Sequence, residues 1–347
     1  MTTPMELGIY TFGDMITDPH TGQAVSPQQR MDQIMETAIL ADQAGLDVFG
    51  VGEHHALAYV NSATAAMIAG IAAVTQRIRL TSASTSISTA DPVRTFQEFA
   101  TADLISHGRV EIIFGRGAFT NNFPLFGYDL KDYDALFVEK TGLFSQLNTQ
   151  ERVTWEGRFR PALDNAEIAP RSAQATIPVW MGAVSANSVA RAAMGGYPLA
   201  VPMVGGSVPD YARSIALYRQ LWQESGHDPQ AARVATFEHL HVAQSASHVH
   251  ERFYPYYSAY LQPLFNGLMP KPVFEQMLSP RGTLVAGSAQ QVIDKLLYQH
   301  EVFGTSRFFG QIDIGGQPHA EVMRGIERFA TEVAPVIRRE TSSPQTA

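Results

Sequence analysis

The chain has 347 residues, 45% of them hydrophobic and 17% charged, a composition that can bury a sizeable core and excludes a disordered polypeptide. A formal net charge of -8, with no long Lys/Arg block, argues against nucleic acid or an anionic membrane surface as partner. The absence of cysteine excludes disulfides, thiolate nucleophiles, zinc–thiolate sites and iron–sulfur clusters.

The opening MTTPMELGIYTFGD lacks a basic segment followed by an apolar one, so no secretory signal is expected. Apolar runs stop well short of the roughly 18 residues of a membrane span. A soluble cytoplasmic protein is the expectation.

Short strand-like runs alternate with amphipathic ones. MELGIYTF reads as a strand, and a helix follows from Ser26, with Pro27 in its first turn, Gln29 completing a capping box and Gly45 as stop. Next come strand DVFGVGEH, helix SATAAMIAGIAAVTQ, strand IRLTSASTSI, and a helix capped by Asp91 with Pro92 behind it. RVEIIFGRG and YDALFVEKTGLFSQLN form the fourth pair. Residues 151–177 break the rhythm, and VTWEGRFRPA suggests a hairpin there.

The alternation resumes with IPVWMGAV, SANSVARAAMGG, PLAVPMVG, SVPDYARSIALYRQLWQESG and RVATFEHLHVA. An aromatic-rich insertion, ERFYPYYSAYLQPLFNGLMPKP, precedes a helix starting at Ser288, strand SRFFGQIDI and a closing helix. Residues 341–347 form a polar tail expected to be disordered. About eight strand–helix pairs predict one (β/α)8 TIM barrel domain over residues 1–340. The rival, an open doubly wound sheet, lacks a GxGxxG after its first strand.

Chemistry in such a barrel sits at the C-terminal strand ends. Glu53-His54-His55 follows the second strand. Adjacent residues on an extended chain face opposite ways, so the two imidazoles are poorly placed to share a metal ion. One inward imidazole suits a general base or hydrogen-bonding group; a structural strand-end histidine is the alternative. Arg116, between Gly115 and Gly117, suits phosphate or carboxylate, or is a surface arginine in a glycine turn. Ser185 and Ser188 open a helix whose free N–H groups favour an anion, though ordinary capping explains one of them. Ala83 and Ser84 belong to a strand of unusually small residues, which leaves room for something planar or reflects alternation of small and large layers.

These residues resemble a known family. EHH, SASTSISTADPVRTFQEFATADLISHGRVEIIFGRG and PVWMGAVSANS, with the C-terminal GSAQQVIDKLLYQ and RFFGQIDIGG, are similar to the bacterial luciferase-like flavin monooxygenases. The resemblance spans nearly the whole chain and is most specific from Asp91 to Gly117. It implies a dimer paired through early helices, binding reduced FMN supplied by a separate reductase. It also implies O2 as co-substrate and oxidation of a small organic substrate through a flavin C4a-hydroperoxide. His54 then takes the active-site histidine position and Glu53 lines the pocket. Ala83-Ser84 matches a pair under the isoalloxazine joined by a cis peptide. Arg116, Ser185 and Ser188 match phosphate ligands.

The chain departs from that pattern in three ways. Gly115 replaces a reactive cysteine of the luciferase subunit, Val184 replaces a glutamate and offers only its backbone N–H, and the long active-site loop has no counterpart. Light emission is therefore not expected. A deazaflavin-dependent hydride transferase and a non-catalytic flavin-binding protein are the alternatives.

Overall fold

The computed structural model describes residues 3–117, 120–265 and 267–342. The chain runs β1 (Glu6–Thr11), α1 (Pro27–Gln43), β2 (Val48–Val51), α2 (Thr64–Val74), β3 (Arg79–Ser82), β4 (Thr85–Ser86), α3 (Pro92–Ser106) and β5 (Val110–Gly115). A short α4 (Asn122–Leu125) and the longer α5 (Tyr133–Thr149) precede an antiparallel hairpin of β6 (Arg152–Trp155) and β7 (Leu163–Glu167). Then come β8 (Val179–Gly182), α6 (Ala186–Met194), β9 (Leu199–Pro202), α7 (Val208–Glu224) and β10 (Val234–Val242). The insertion folds as α8 (Ala246–His248), α9 (Tyr254–Tyr260), α10 (Gln262–Phe265), α11 (Lys271–Leu278) and β11 (Leu284–Gly287). The chain continues through α12 (Ala289–Phe303), β12 (Arg307–Gln311), α13 (His319–Arg328) and α14 (Ala334–Thr341).

Eight of these strands close a parallel barrel in the order β1-β2-β3-β5-β8-β9-β10-β12, with β12 pairing back to β1. β11 adds to β10 at His239–Val242, beyond the stretch where β10 meets β9 and on the side opposite β12. The fold is a (β/α)8 TIM barrel.

Local sequence explains the helix starts. Ser26 accepts from Gln29 N–H while the Gln29 side chain caps Ser26 N–H, and Asp91 accepts from the N–H groups of Val93 and Arg94. Gly45 leaves α1 at φ 78°, where a side chain would be strained. α14 runs on to Thr341, whose Oγ1 accepts the Met5 N–H at 3.0 Å and so ties the chain's end to its first strand. Residues 343–347 of the expected tail lie outside the described residues.

The strand period of two sorts the barrel interior into layers. At the N-terminal end, buried Arg307 pairs with Glu6 (2.7 Å) and Glu111 (2.6 Å), with its guanidinium 4.6 Å from the Trp180 ring centroid. Mutual pairing offsets the cost of burying these charges and seals that end. Above lie Tyr10, Ile113, Trp180, Phe237 and Phe309, with Phe237 and Phe309 stacked at 4.5 Å. The open end is left to the C-terminal strand edges.

Candidate active site

A cavity of about 780 Å3 occupies that end, within the usual range of roughly 300–1,000 Å3 for ligand sites. Glu53, His54, Ala83 and Ser84 all line it. Arg116, Val184, Ser185 and Ser188 do not; Arg116 adjoins lining residue Gly117 in the chain, and Val184 and Ser185 follow lining residue Gly182 where β8 leads into α6.

β2 ends at Val51, so Glu53-His54-His55 lies in the following loop rather than on the strand. The loop is fixed from behind: Gly52 N–H donates to Thr11 O (2.8 Å) and His54 N–H to Asn61 O (3.1 Å). His55 Nε2 donates to Glu53 Oε1 at 2.9 Å, and Glu53 Oε2 accepts the Ser86 N–H at 3.2 Å. His54 instead lies between the rings of Phe12 and Tyr59, with centroids 4.6 Å and 4.2 Å away. Burial, with a smaller push from neighbouring His55, lowers His54 to about 4, so its imidazole is neutral near pH 7. Among the described residues no group of three His, Asp or Glu side chains is placed to hold a metal ion.

The run IRLTSASTSI, read as one strand, is two. The Ala83–Ser84 peptide is cis and separates β3, paired with β2 and β5, from β4, paired with β5 alone. Ser84 faces Gly115: a Cβ on Gly115 would fall 2.3 Å from Ser84 Oγ. The cysteine of the luciferase subunit has no room here while Ser84 keeps this position. A Cβ on Gly182 would likewise come within 3.2 Å of Phe114 O. Where these strands end, the wall is backbone and small side chains.

On the rim, Ser185 is the N-cap of α6; its Oγ lies 2.9 Å from Ser188 Oγ, and Ser188 Oγ donates to Ser185 O at 2.8 Å. Ser185 thus does the ordinary capping work and also starts a hydroxyl pair. Val184, just before the cap, is 40% exposed. Arg116 reaches toward this helix through a shared carboxylate: Asp134 Oδ1 accepts from Arg116 Nη1 (3.0 Å) and Arg191 Nη2 (3.2 Å). Arg191, one turn beyond Ser188, and Asp134 escaped the sequence reading because their meeting depends on α5 lying across α6.

The sequence reading missed Phe12, Asp14, Tyr59 and His239 on the cavity wall, and Tyr260 of the aromatic insertion joins them there. His239 had a usable signal, a polar residue at an inward position of β10. Its Nδ1 lies 2.8 Å from the hydroxyl of buried Tyr257, and burial lowers it to about 4. The insertion does two things. Phe253 and Tyr257 sit in a second buried cluster, whereas Tyr260 through Leu264 close over the cavity.

The model of the luciferase-like monooxygenases matches residues 5–306. The chain belongs to the luciferase-like monooxygenase family. A flavin-dependent trigonelline monooxygenase, oxygenase component, from Acinetobacter baylyi is 23% identical, with 95% of each chain covered. Among solved structures, monooxygenase RslO1 from Streptomyces bottropensis superposes with TM-score 0.85 at 21% identity, over 96% of this chain and 99% of that one. The oxygenating constituent of 3,6-diketocamphane monooxygenase from Pseudomonas putida, in complex with FMN, gives 0.75 at 17% identity, over 96% and 98%. An F420-dependent secondary alcohol dehydrogenase gives 0.73 at 21% identity, over 97% and 100%. This luciferase-like monooxygenase is therefore an oxidoreductase of the flavin-dependent kind, and the F420-dependent neighbour has the same fold. No helix among the described residues is long and apolar enough to cross a membrane.

Proposed function

We propose that the protein is the oxygenase component of a two-component, FMN-dependent monooxygenase that oxidises a small, largely apolar organic substrate. The observation that supports this reading is the cavity, whose lining includes neutral His54, the Ala83-Ser84 pair and Gly182 in one largely apolar mouth, with Gly115 packed against Ser84. The small side chains of Ala83 and Ser84 and the bare backbone of Gly182 on the cavity wall leave room for a flat tricyclic ring. Buried Asn122 Oδ1, which lacks a hydrogen-bond partner and belongs to a residue lining the cavity, suits a ring N–H. Ser185, Ser188, the Val184 N–H and Arg116 would hold the phosphate, and Arg191 adds a second guanidinium nearby.

Bound reduced FMN would supply the activation of O2 and the oxygen transfer. The chain's part is positioning and exclusion. Phe12, Tyr59, Phe237 and the insertion keep water away, and His54, uncharged at neutral pH, accepts or gives a hydrogen bond beside the reacting ring. Glu53, held by His55 and the Ser86 N–H, fixes the loop that carries His54.

The relative named as an oxygenase component supports a separate reductase. The exposed Val74, Leu104 and Ile105 on α2 and α3 support a homodimer through these early helices. The F420-dependent neighbour supports a second reading, hydride transfer with a deazaflavin. Anaerobic titration with reduced FMN and with reduced deazaflavin, followed by mixing with aerated buffer, separates the two. Tight FMN binding and altered reoxidation in His54→Ala support the monooxygenase. Binding of the deazaflavin alone overturns it.

A further inference from the structure

One carboxyl group on the cavity wall has no part in holding a flavin. After β1 the chain turns at Gly13 (φ 69°), so Asp14 bridges back to Tyr59, fixed by Val60 N–H to Gly13 O (2.8 Å) and Met15 N–H to Ala58 O (2.7 Å). Asp14 is 4% exposed, and neither carboxyl oxygen has a well-formed hydrogen bond. The N–H groups of Asp14 itself and Gly315 lie nearby, and Arg30 Nη2 comes no closer than 3.9 Å to Oδ1.

Arg30 is committed elsewhere. Its Nη2 donates to Asp313 Oδ2 and its Nε to the Asp14 carbonyl at 3.1 Å; Asp313 Oδ2 also takes the Thr11 hydroxyl at 2.5 Å. Two buried carboxyl groups thus share one guanidinium, and Asp14 is the one left short of donors. Burial first, then the Asp313 charge, push Asp14 up to about 7 against the pull of Arg30. Tyr59 and Tyr260 are raised in turn, by burial first and then by Asp14, which puts the carboxyl group among phenols of the same cavity. Such a group is costly to bury unless a partner arrives.

We propose that Asp14 is a substrate-binding residue, accepting a hydrogen bond from an O–H or N–H group on an otherwise apolar, ring-sized substrate. Phe12, Ile16, Ala58 and Leu261 supply the apolar surroundings, and Asp14 supplies the polar anchor that orients the molecule within them. The assignment rests on the reading of this cavity as the place where substrate meets flavin.

The test uses fluorescent probes of one shape: β-naphthol and naphthylmethylamine as donors, methylnaphthalene as the control without one. Each is titrated anaerobically into the full chain with and without reduced FMN, in wild type, Asp14→Asn and Asp14→Ala. A hydrogen bond to a buried carboxyl group predicts donors binding about tenfold or more tighter than methylnaphthalene in wild type. In the variants that ratio should fall to roughly three or less, with reduced-FMN affinity unchanged. Preference for the amine identifies an ammonium pole, and preference for the naphthol a hydroxyl. A wild-type ratio near one, or a ratio retained in both variants, overturns the assignment. Wild type needs no variant to fold, so a ratio near one there overturns the assignment by itself. Donor preference without FMN binding would sink the flavin reading and leave Asp14 standing; FMN binding without donor preference does the reverse.

Discussion

The 2.9 Å hydrogen bond between Glu53 and His55 divides the Glu53-His54-His55 run into two parts. The acid and the second imidazole hold each other, and His54 is left against Phe12 and Tyr59 at the cavity. This division makes Glu53 a positioning residue. Removing its carboxylate in Glu53→Ala strands His55 and the Ser86 N–H, and should cost about 1–3 kcal/mol of unfolding free energy. Glu53→Gln, which can still accept from Ser86, should cost less. Urea denaturation of both variants checks the order; equal loss would show that the His55 contact carries the whole effect.

His54 should show its lowered pKa in two readouts. Reoxidation of bound reduced flavin should stay flat from about pH 8 down to about pH 5, because the neutral imidazole persists until pH approaches 4. Between 6.5 and 4 the unfolded chain binds a proton at His54 that the folded chain refuses, so stability falls as pH falls through that window. His54→Gln should flatten part of that fall. An acid limb near pH 6.5, set by His54, would contradict the geometry.

Gly115 and Ser84 should behave as a coupled pair. Gly115→Ala places a Cβ 2.3 Å from Ser84 Oγ and should weaken reduced-FMN binding roughly tenfold or more by displacing the Ser84 side chain. Adding Ser84→Ala removes that oxygen and leaves the nearer carbon at 3.2 Å, so the double variant should recover part of the loss. Additive losses in the cycle would show that the two sites do not touch.

Asp134 holds Arg116 and Arg191 together, and a phosphate would compete for both. Arg116→Ala should weaken binding of reduced FMN by about tenfold and leave reduced riboflavin, which lacks the phosphate, unchanged. Asp134→Asn should tighten FMN and not riboflavin. Titrating both flavins with each variant reads the phosphate alone, and parallel losses would move the phosphate elsewhere.

Glu238 offers a stability test away from the cavity. It is fully buried, its Oε2 accepts from the Gln299 amide at 2.7 Å, and burial, opposed by Gln299, Lys295 and Thr236, raises it to about 8. From its ordinary 4.5 up to 8 the folded chain keeps a proton that the unfolded chain has released, so stability falls as pH rises across that range. Glu238→Gln keeps the Gln299 bond and should gain on wild type between pH 5 and pH 8.5 by on the order of 2 kcal/mol. Denaturant unfolding at both pH values measures it.

The barrel was legible because its signals are local. Ser26 with Pro27 and Gln29, Asp91 with Pro92, and Ser288 with Gln291 cap helices through atoms three residues apart. The strand ends at Glu53, His54, Ala83 and Ser84 followed from the rule that barrel chemistry sits at C-terminal strand edges. IRLTSASTSI was read as unbroken because its composition does not mark the break at Ala83–Ser84 on its own.

Sequence by itself determined the alternation of strands and helices, the caps, and the family to which the residues point, since each depends on neighbours within a few positions or on a matched pattern. Only the tertiary structure decided that Asp14 meets Tyr59 and shares Arg30 with Asp313, that Arg116 and Arg191 converge on Asp134, and that Tyr260 meets His239 at the cavity that His54 also lines. These contacts join residues up to 283 positions apart through closure of the sheet. Their burial, which sets the charge on His54 and Asp14, exists only once the barrel has excluded water.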